Sequence, residues 1–146
     1  TLSPIPSIRT WCKEVKVVLC NGCFDWLHIG HLLYLESASR MGDRLVVSVT
    51  LDKYVDKGPG RPTFNHDQRL ALVKALRCVD DSILVSGALE ALERVKPDIF
   101  VKGQDYIGKI EKKHSDYCKA HGIEIRFTTE PIFSTTKLIN DRLGKS

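Results

Sequence analysis

A chain of 146 residues with 42% apolar and 27% charged side chains suits one globular domain and excludes a disordered or fibrous class. Its 22 Lys and Arg against 18 Asp and Glu leave a net charge of +4. The basic residues form no block and are not interleaved with aromatics, which speaks against a nucleic-acid footprint and suits a small anionic ligand. No apolar run approaches the roughly 18 residues that cross a bilayer, and no secretory signal opens the sequence, so the reading is a cytoplasmic protein without a membrane partner. Five cysteines, Cys12, Cys20, Cys23, Cys78 and Cys118, fit reduced thiols better than a disulfide framework.

Residues 1–14 read as an N-terminal extension and 15–146 as the domain. Residues 15–20 are a short, mostly apolar run ending at Asn21-Gly22, the pattern of a buried strand and a tight turn. From 30 to 41, Leu32, Leu35 and Ala38 recur at helical spacing, with Gly42 as terminator. Residues 44–51 supply Leu45, Val46, Val47 and Val49 for a second strand, completing a right-handed β-α-β unit. Gly58-Pro59-Gly60-Arg61-Pro62 then marks a loop that also carries Lys53 and Lys57. Asn65 caps a helix running through Arg77 on Leu70, Leu72, Val73 and Leu76. A strand at 82–85, a helix at 88–95 broken by Lys96-Pro97, and a strand at 98–101 follow. A polar helix at 109–121 closed by Gly122, a fifth strand at 123–127, and a helix at 134–143 capped by Ser134 end the chain.

Strand and helix alternate without repeat or linker, which predicts an α/β class: a single Rossmann-like doubly wound domain with a five-stranded, mainly parallel sheet. Ligands bind such sheets at the carboxyl ends of the strands. The turn after strand one offers Gly22, where bare backbone approaches a ligand, and then a helix start with His28 and His31 three apart on one side. Such a pair fits phosphate chemistry, a solvated helix surface or a capping interaction. Cys20 and Cys23 form a C-x-x-C without a second pair, and a zinc reading has only Asp25 as a further ligand nearby; no metal site is expected. Asp43, after Gly42, reads as a turn residue at the opposite end of the sheet.

The segment Gly22-Cys23-Phe24-Asp25-Trp26-Leu27-His28-Ile29-Gly30-His31 resembles the G-x-F-D-x-x-H-x-G-H motif of cytidylyltransferase-like nucleotidyltransferases. The resemblance runs over nearly the whole chain. Lys57-Gly58 with Arg61-Pro62, Gln68-Arg69, Val101-Lys102-Gly103-Gln104-Asp105-Tyr106 and Ser134-Thr135-Thr136 are most similar to the adenylyltransferase domain of ADP-heptose synthase, then to glycerol-3-phosphate cytidylyltransferase.

That resemblance implies a nucleotidyltransferase moving a nucleoside monophosphate, from ATP by preference, onto a phosphorylated sugar such as heptose 1-phosphate, with release of pyrophosphate. The alternatives it leaves are a CTP-dependent enzyme acting on a polyol phosphate or phosphonate, and a non-catalytic nucleotide-binding module. It implies that Gly22, Cys23, Phe24 and Asp25 form the nucleotide turn, that His28 and His31 stabilise the transition state, and that Lys57 swings onto the phosphates. It further implies Arg69 as a second cation, Gly103 and Asp105 against the nucleoside, and Ser134, Thr135 and Thr136 as donors at the last helix start. Mg2+ accompanies the triphosphate, and small relatives pair as homodimers. Read physically, Lys57 and Arg69 are equally a loop and a helix-surface cation, Gly103 and Asp105 an ordinary turn, and Ser134 an N-cap. The chain departs from the glycerol-phosphate type, which has Arg-Thr-Glu-Gly where this sequence has Thr128-Thr129-Glu130-Pro131-Ile132-Phe133 before Ser134.

Overall fold

The computed structural model describes residues 15–129. Five strands, β1 (Val17–Gly22), β2 (Arg44–Thr50), β3 (Asp81–Val85), β4 (Ile99–Lys102) and β5 (Glu124–Phe127), form one sheet in the order β3-β2-β1-β4-β5. All of its pairings are parallel. The chain builds outward from β1 to β3, then crosses back to lay β4 on the free side of β1. The order therefore switches between β1 and β4, where an open α/β sheet leaves a crevice.

The strands are continuous apolar runs because helices cover both sides of the sheet. Alternate residues of β1 serve the two layers: Val18 and Cys20 pack with Leu35 and Ala38 of α1 (Ile29–Ser39) and Val73 of α2 (His66–Lys74). Leu19 faces the other way, against Ala88, Ala91 and Leu92 of α3 (Ala88–Val95) and Cys118 of α4 (Lys112–Ala120). This is the doubly wound arrangement expected from the alternation of elements.

Three aspartates pin the amino edge of the sheet. Asp43, Asp80 and Asp98 accept the backbone N–H groups of Lys16, Leu45 and Val17 at 2.9, 2.8 and 2.8 Å, which places Asp43 at the edge away from the ligand-binding ends, as its sequence position suggests. Beside it, Gly42 lets the α1–β2 turn press onto β1. A Cβ there would lie 2.6 Å from Val18 Cγ2 and 2.8 Å from the Lys16 carbonyl oxygen.

Several boundaries differ from the sequence expectation. β1 extends through Asn21 and Gly22 because Asn21 Nδ2 donates to Ser48 Oγ at 2.7 Å and Gly22 stays in register with Val49. The polar helix starts at Lys112, since a 3-10 turn over Gln104–Tyr106 and a left-handed Gly108 occupy the approach. The helix expected at 134–143 lies outside the described residues.

Replacing Gly42 with alanine should destabilise the domain by about 1–3 kcal/mol, because the crowding partners are backbone and a buried valine. A urea midpoint equal to that of the parent protein would show that the turn yields without cost.

Candidate active site

At the carboxyl end of β1 the chain turns sharply. A Cβ on Gly22 would lie 2.9 Å from Cε2 of Phe24, so glycine lets the aromatic ring fold back over the strand end. Phe24 and Trp26 both sit in left-handed backbone, at φ 54° and 56°. Non-glycine residues hold that conformation at a cost of order 1–3 kcal/mol each, and do so where the surroundings over-determine it.

Two buried ions do the over-determining. Asp25, 1% exposed, accepts from Arg61 Nε at 2.8 Å and from the backbone N–H groups of Thr63 and Phe64 at 2.8 and 3.0 Å. Burial works to raise the Asp25 pKa, and the two amides with the guanidinium outweigh it, holding the carboxyl below its ordinary value. Arg69 is 0% exposed. Its guanidinium donates to the carbonyl oxygens of Cys23 at 2.7 Å and Phe64 at 2.9 Å and pairs with Asp52 at 2.6 Å. Asp25 and Arg69 thus tie the β1 turn to the loop before α2. Sequence reasoning gave both residues to the nucleotide, and the structure shows in addition that each side chain braces the turn itself.

The histidines form the start of α1. His28 is the N-cap, and its Nδ1 accepts from Gly30 N at 3.0 Å. His31 Nδ1 accepts in turn from His28 N at 3.1 Å, a reciprocal capping box made by two imidazoles. Their ring centroids are 4.0 Å apart, and Phe24 meets the His31 ring edge-on at 5.5 Å. Since each Nδ1 accepts, each neutral ring carries its proton on Nε2. Burial lowers the His28 pKa. It brings His31 down to about 4, helped by the charges of His28 and Lys57. At neutral pH the pair is therefore two uncharged, oriented N–H donors rather than a dication.

A cleft of about 770 Å³ opens over the β1 and β4 strand ends. Gly22, Cys23 and Lys57 line it, with Lys57 on the loop whose Gly58 and Gly60 adopt left-handed φ. Gly103 stands where a Cβ would lie 2.7 Å from Asp105 Oδ1, and Asp105 is exposed on the turn that follows. Ser134, Thr135 and Thr136 lie outside the described residues. Lys102 and Tyr106, which the sequence offers only as part of the 101–106 resemblance and without a role, and Thr50, which sequence reasoning passed over, also line the cleft. Thr50 Oγ1 donates to the Gly22 carbonyl at 3.3 Å. The signal for Thr50 was position alone: it ends β2, as Lys102 ends β4, on either side of β1.

Among the described residues, no three His, Cys, Asp or Glu side chains converge into a set that could hold a metal ion. In the C-x-x-C, Cys20 and Cys23 are free thiols, and burial pushes Cys20 up to about 12, away from the thiolate form.

Comparison with known proteins matches residues 19–140 to a family model described as cytidylyltransferase-like. Bifunctional protein HldE of Azotobacter vinelandii is 45% identical over 115 residues, covering 76% of this chain and 24% of the relative. The protein of the same name from Pseudomonas fluorescens is 43% identical over 135 residues, covering 90% and 28%. The chain spans about a quarter of the length of these curated relatives. A solved structure, the lipopolysaccharide core biosynthesis protein from Thermoplasma volcanium GSS1, is similar with a TM-score of 0.69 at 32% identity, over 82% of this chain and 100% of that one.

Two outcomes follow from the buried network. Arg69→Met leaves Asp52 without its ion pair and two carbonyls without their donor, and should cost about 3 kcal/mol in urea unfolding; an unchanged midpoint would mean the turn stands without the guanidinium. His31 titrates near 4 when folded against an ordinary value of 6.5, so the unfolded chain binds the extra proton between those values. Stability should be full above pH 6.5 and fall as the pH drops toward 4. His31→Gln should show a shallower loss between pH 7 and 5, and an equal loss would assign the proton elsewhere.

Proposed function

The chain belongs to the cytidylyltransferase-like family of nucleotidyltransferase enzymes, and on that premise we propose that it transfers an adenylyl group from ATP to a sugar phosphate such as heptose 1-phosphate. The observation that carries the reading is the pair of neutral Nε2–H donors at the α1 start, fixed by their own cap beside the Gly22–Phe24 turn. The choice of ATP and heptose rests on the ADP-heptose synthase resemblance of Lys57-Gly58, Arg61-Pro62 and 101–106 and on the similarity to Bifunctional protein HldE.

In this reaction an oxygen of the acceptor phosphate attacks the α-phosphorus of the triphosphate in line. The new P–O bond forms as the bond to the β-phosphate oxygen breaks, and the electron pair leaves with pyrophosphate. The acceptor phosphate is already a nucleophile at neutral pH, so the protein's task is to align two anions and stabilise the charge that gathers on the equatorial oxygens. His28 and His31 donate to those oxygens, and bonds from fixed donors strengthen as charge develops. Lys57, exposed on its loop, adds the mobile cation. Mg2+ carried by the triphosphate would supply charge screening at the transferring phosphate.

Alanine at His28 or His31 should lower turnover by about a hundredfold or more with folding retained, and Lys57→Ala should mainly raise the KM for the triphosphate. A pyrophosphate-release screen of the four triphosphates against phosphorylated sugars and polyols checks the whole assignment. Release with CTP and a polyol phosphate would transfer the site to the cytidylyl alternative. Nucleotide binding without release under any acceptor would make the domain a binding module.

A further inference from the structure

The cleft contains a cation that the reading above does not use. Lys102 ends β4 and faces β1 across the point where strand order switches. Its Nζ lies 4.0 Å from the Tyr106 ring centroid and 5.7 Å from that of Phe100. Among the described residues it has neither a hydrogen bond nor an ion pair, although Asp105 and Glu111 exert longer-range attraction. Aromatic faces stabilise an ammonium electrostatically but take none of its three donors. Burial pushes its pKa below the ordinary lysine value.

Other charges on the same wall are committed or exposed. Glu90 accepts from Ser86 N and Oγ and pairs with Arg94, and the exposed Lys113 pairs with Glu111 at 3.5 Å. Lys102 is therefore the desolvated ammonium of the cleft, with its donors left for something that enters.

We infer that Lys102 is the specificity-determining ligand for the anionic phosphate of the acceptor, held at the β4 end by the Tyr106 and Phe100 rings. The inference rests on the proposed function for the identity of the two substrates. In-line transfer requires the attacking oxygen and the leaving pyrophosphate on opposite sides of the α-phosphorus. The histidine pair caps the start of α1 after the β1 turn, whereas Lys102 ends the neighbouring strand β4, so the two sets of donors suit the two anions separately. The cleft beyond Lys102 is bounded by Ser86 and Gly87 at the start of α3 and by Glu93 and His114, side chains and backbone fit to bind sugar hydroxyls.

The test uses Lys102→Met, which keeps a long apolar stem without the charge, and Lys102→Arg, which restores a cation, with thermal unfolding to confirm that both fold. With ATP and heptose 1-phosphate, Lys102→Met should raise the acceptor KM about ten- to a hundredfold and leave the ATP KM within about twofold, and Lys102→Arg should recover part of the loss. A rise in the ATP KM alone would move Lys102 to the nucleotide, and two unchanged constants would remove it from anion binding; either result overturns the inference. Should the parent protein release no pyrophosphate with any acceptor, the functional reading fails separately. Calorimetric binding of heptose 1-phosphate to parent and Lys102→Met then decides the inference: tighter binding by the parent supports it, and equal affinity overturns it. Should Lys102→Met not fold, Lys102→Arg decides by the same KM split, an altered acceptor KM supporting the inference and two unaltered constants overturning it.

Discussion

The geometry of the strand ends depends on a pair of buried charges, Asp25 and Arg69, that bond to the frame of the β1 turn. Asp25 and Arg69 point in opposite senses across the same seam: the carboxylate of the β1 turn takes the amides of Thr63 and Phe64, and the guanidinium of α2 takes the carbonyls of Cys23 and Phe64. Phe64 is gripped at its N–H by one ion and at its C=O by the other. The two left-handed residues, Phe24 and Trp26, flank Asp25. Their strain, of order 1–3 kcal/mol each, persists because releasing it would strand two desolvated charges. Arginine suits the place because its planar fork reaches two carbonyls and Asp52 at once, which a single ammonium cannot span with the same alignment.

What that frame holds steady is a set of donors whose character differs from the simplest expectation for a helix start. Free backbone N–H groups at an N-terminus are a ready anion site. Here the capping box consumes the N–H groups of His28 and Gly30 and returns two imidazole Nε2–H donors in their place. The exchange carries the donors outward by the width of a ring and fixes the tautomer, because an Nδ1 that accepts an amide cannot also hold the proton. The same contact that ends the helix thus sets the polarity of the site. Capping, which the sequence leaves as an alternative to phosphate binding for an H-x-x-H, occupies one nitrogen of each imidazole and leaves the other as the donor that the proposed reaction would use.

Much of the fold was legible in the sequence because it is written in periodicity. Strand runs such as Leu45–Val49 and the breaker Lys96-Pro97 place elements to within a few residues, and Asn65 is the N-cap its position suggested, with Gln68 completing the box. Local pattern did not show that Asn21-Gly22 would stay in the sheet, since that depends on Ser48 across the strand pair. The fate of individual charges was still less legible. Arg69 on a helix and Lys102 at a strand end carry the same letters as solvated residues, and only the closing of the β1 turn buries the one and only the stacking of Tyr106 partly covers the other. A motif fixes which residues gather at a turn; whether a charge faces the ligand or the frame is settled by contacts distant in sequence.

The division of labour between neutral imidazoles and lysines bears on turnover in the proposed reaction. Two protonated histidines beside Lys57 would bind a triphosphate and released pyrophosphate alike, and uniform binding of that kind lowers KM without accelerating the chemical step. Burial prevents it: His31, held near a pKa of 4 partly by the nearby Lys57 charge, enters the encounter uncharged. In the proposed reaction its hydrogen bond would gain strength as negative charge accumulates on the transferring group and weaken again once the charge has left with pyrophosphate. The full positive charge sits on a loop with left-handed Gly58 and Gly60, where it can approach and withdraw. Rigid donors against the developing charge, and a mobile cation against the resting one, are what the buried Asp25–Arg69 frame on one side and the glycine loop on the other make available.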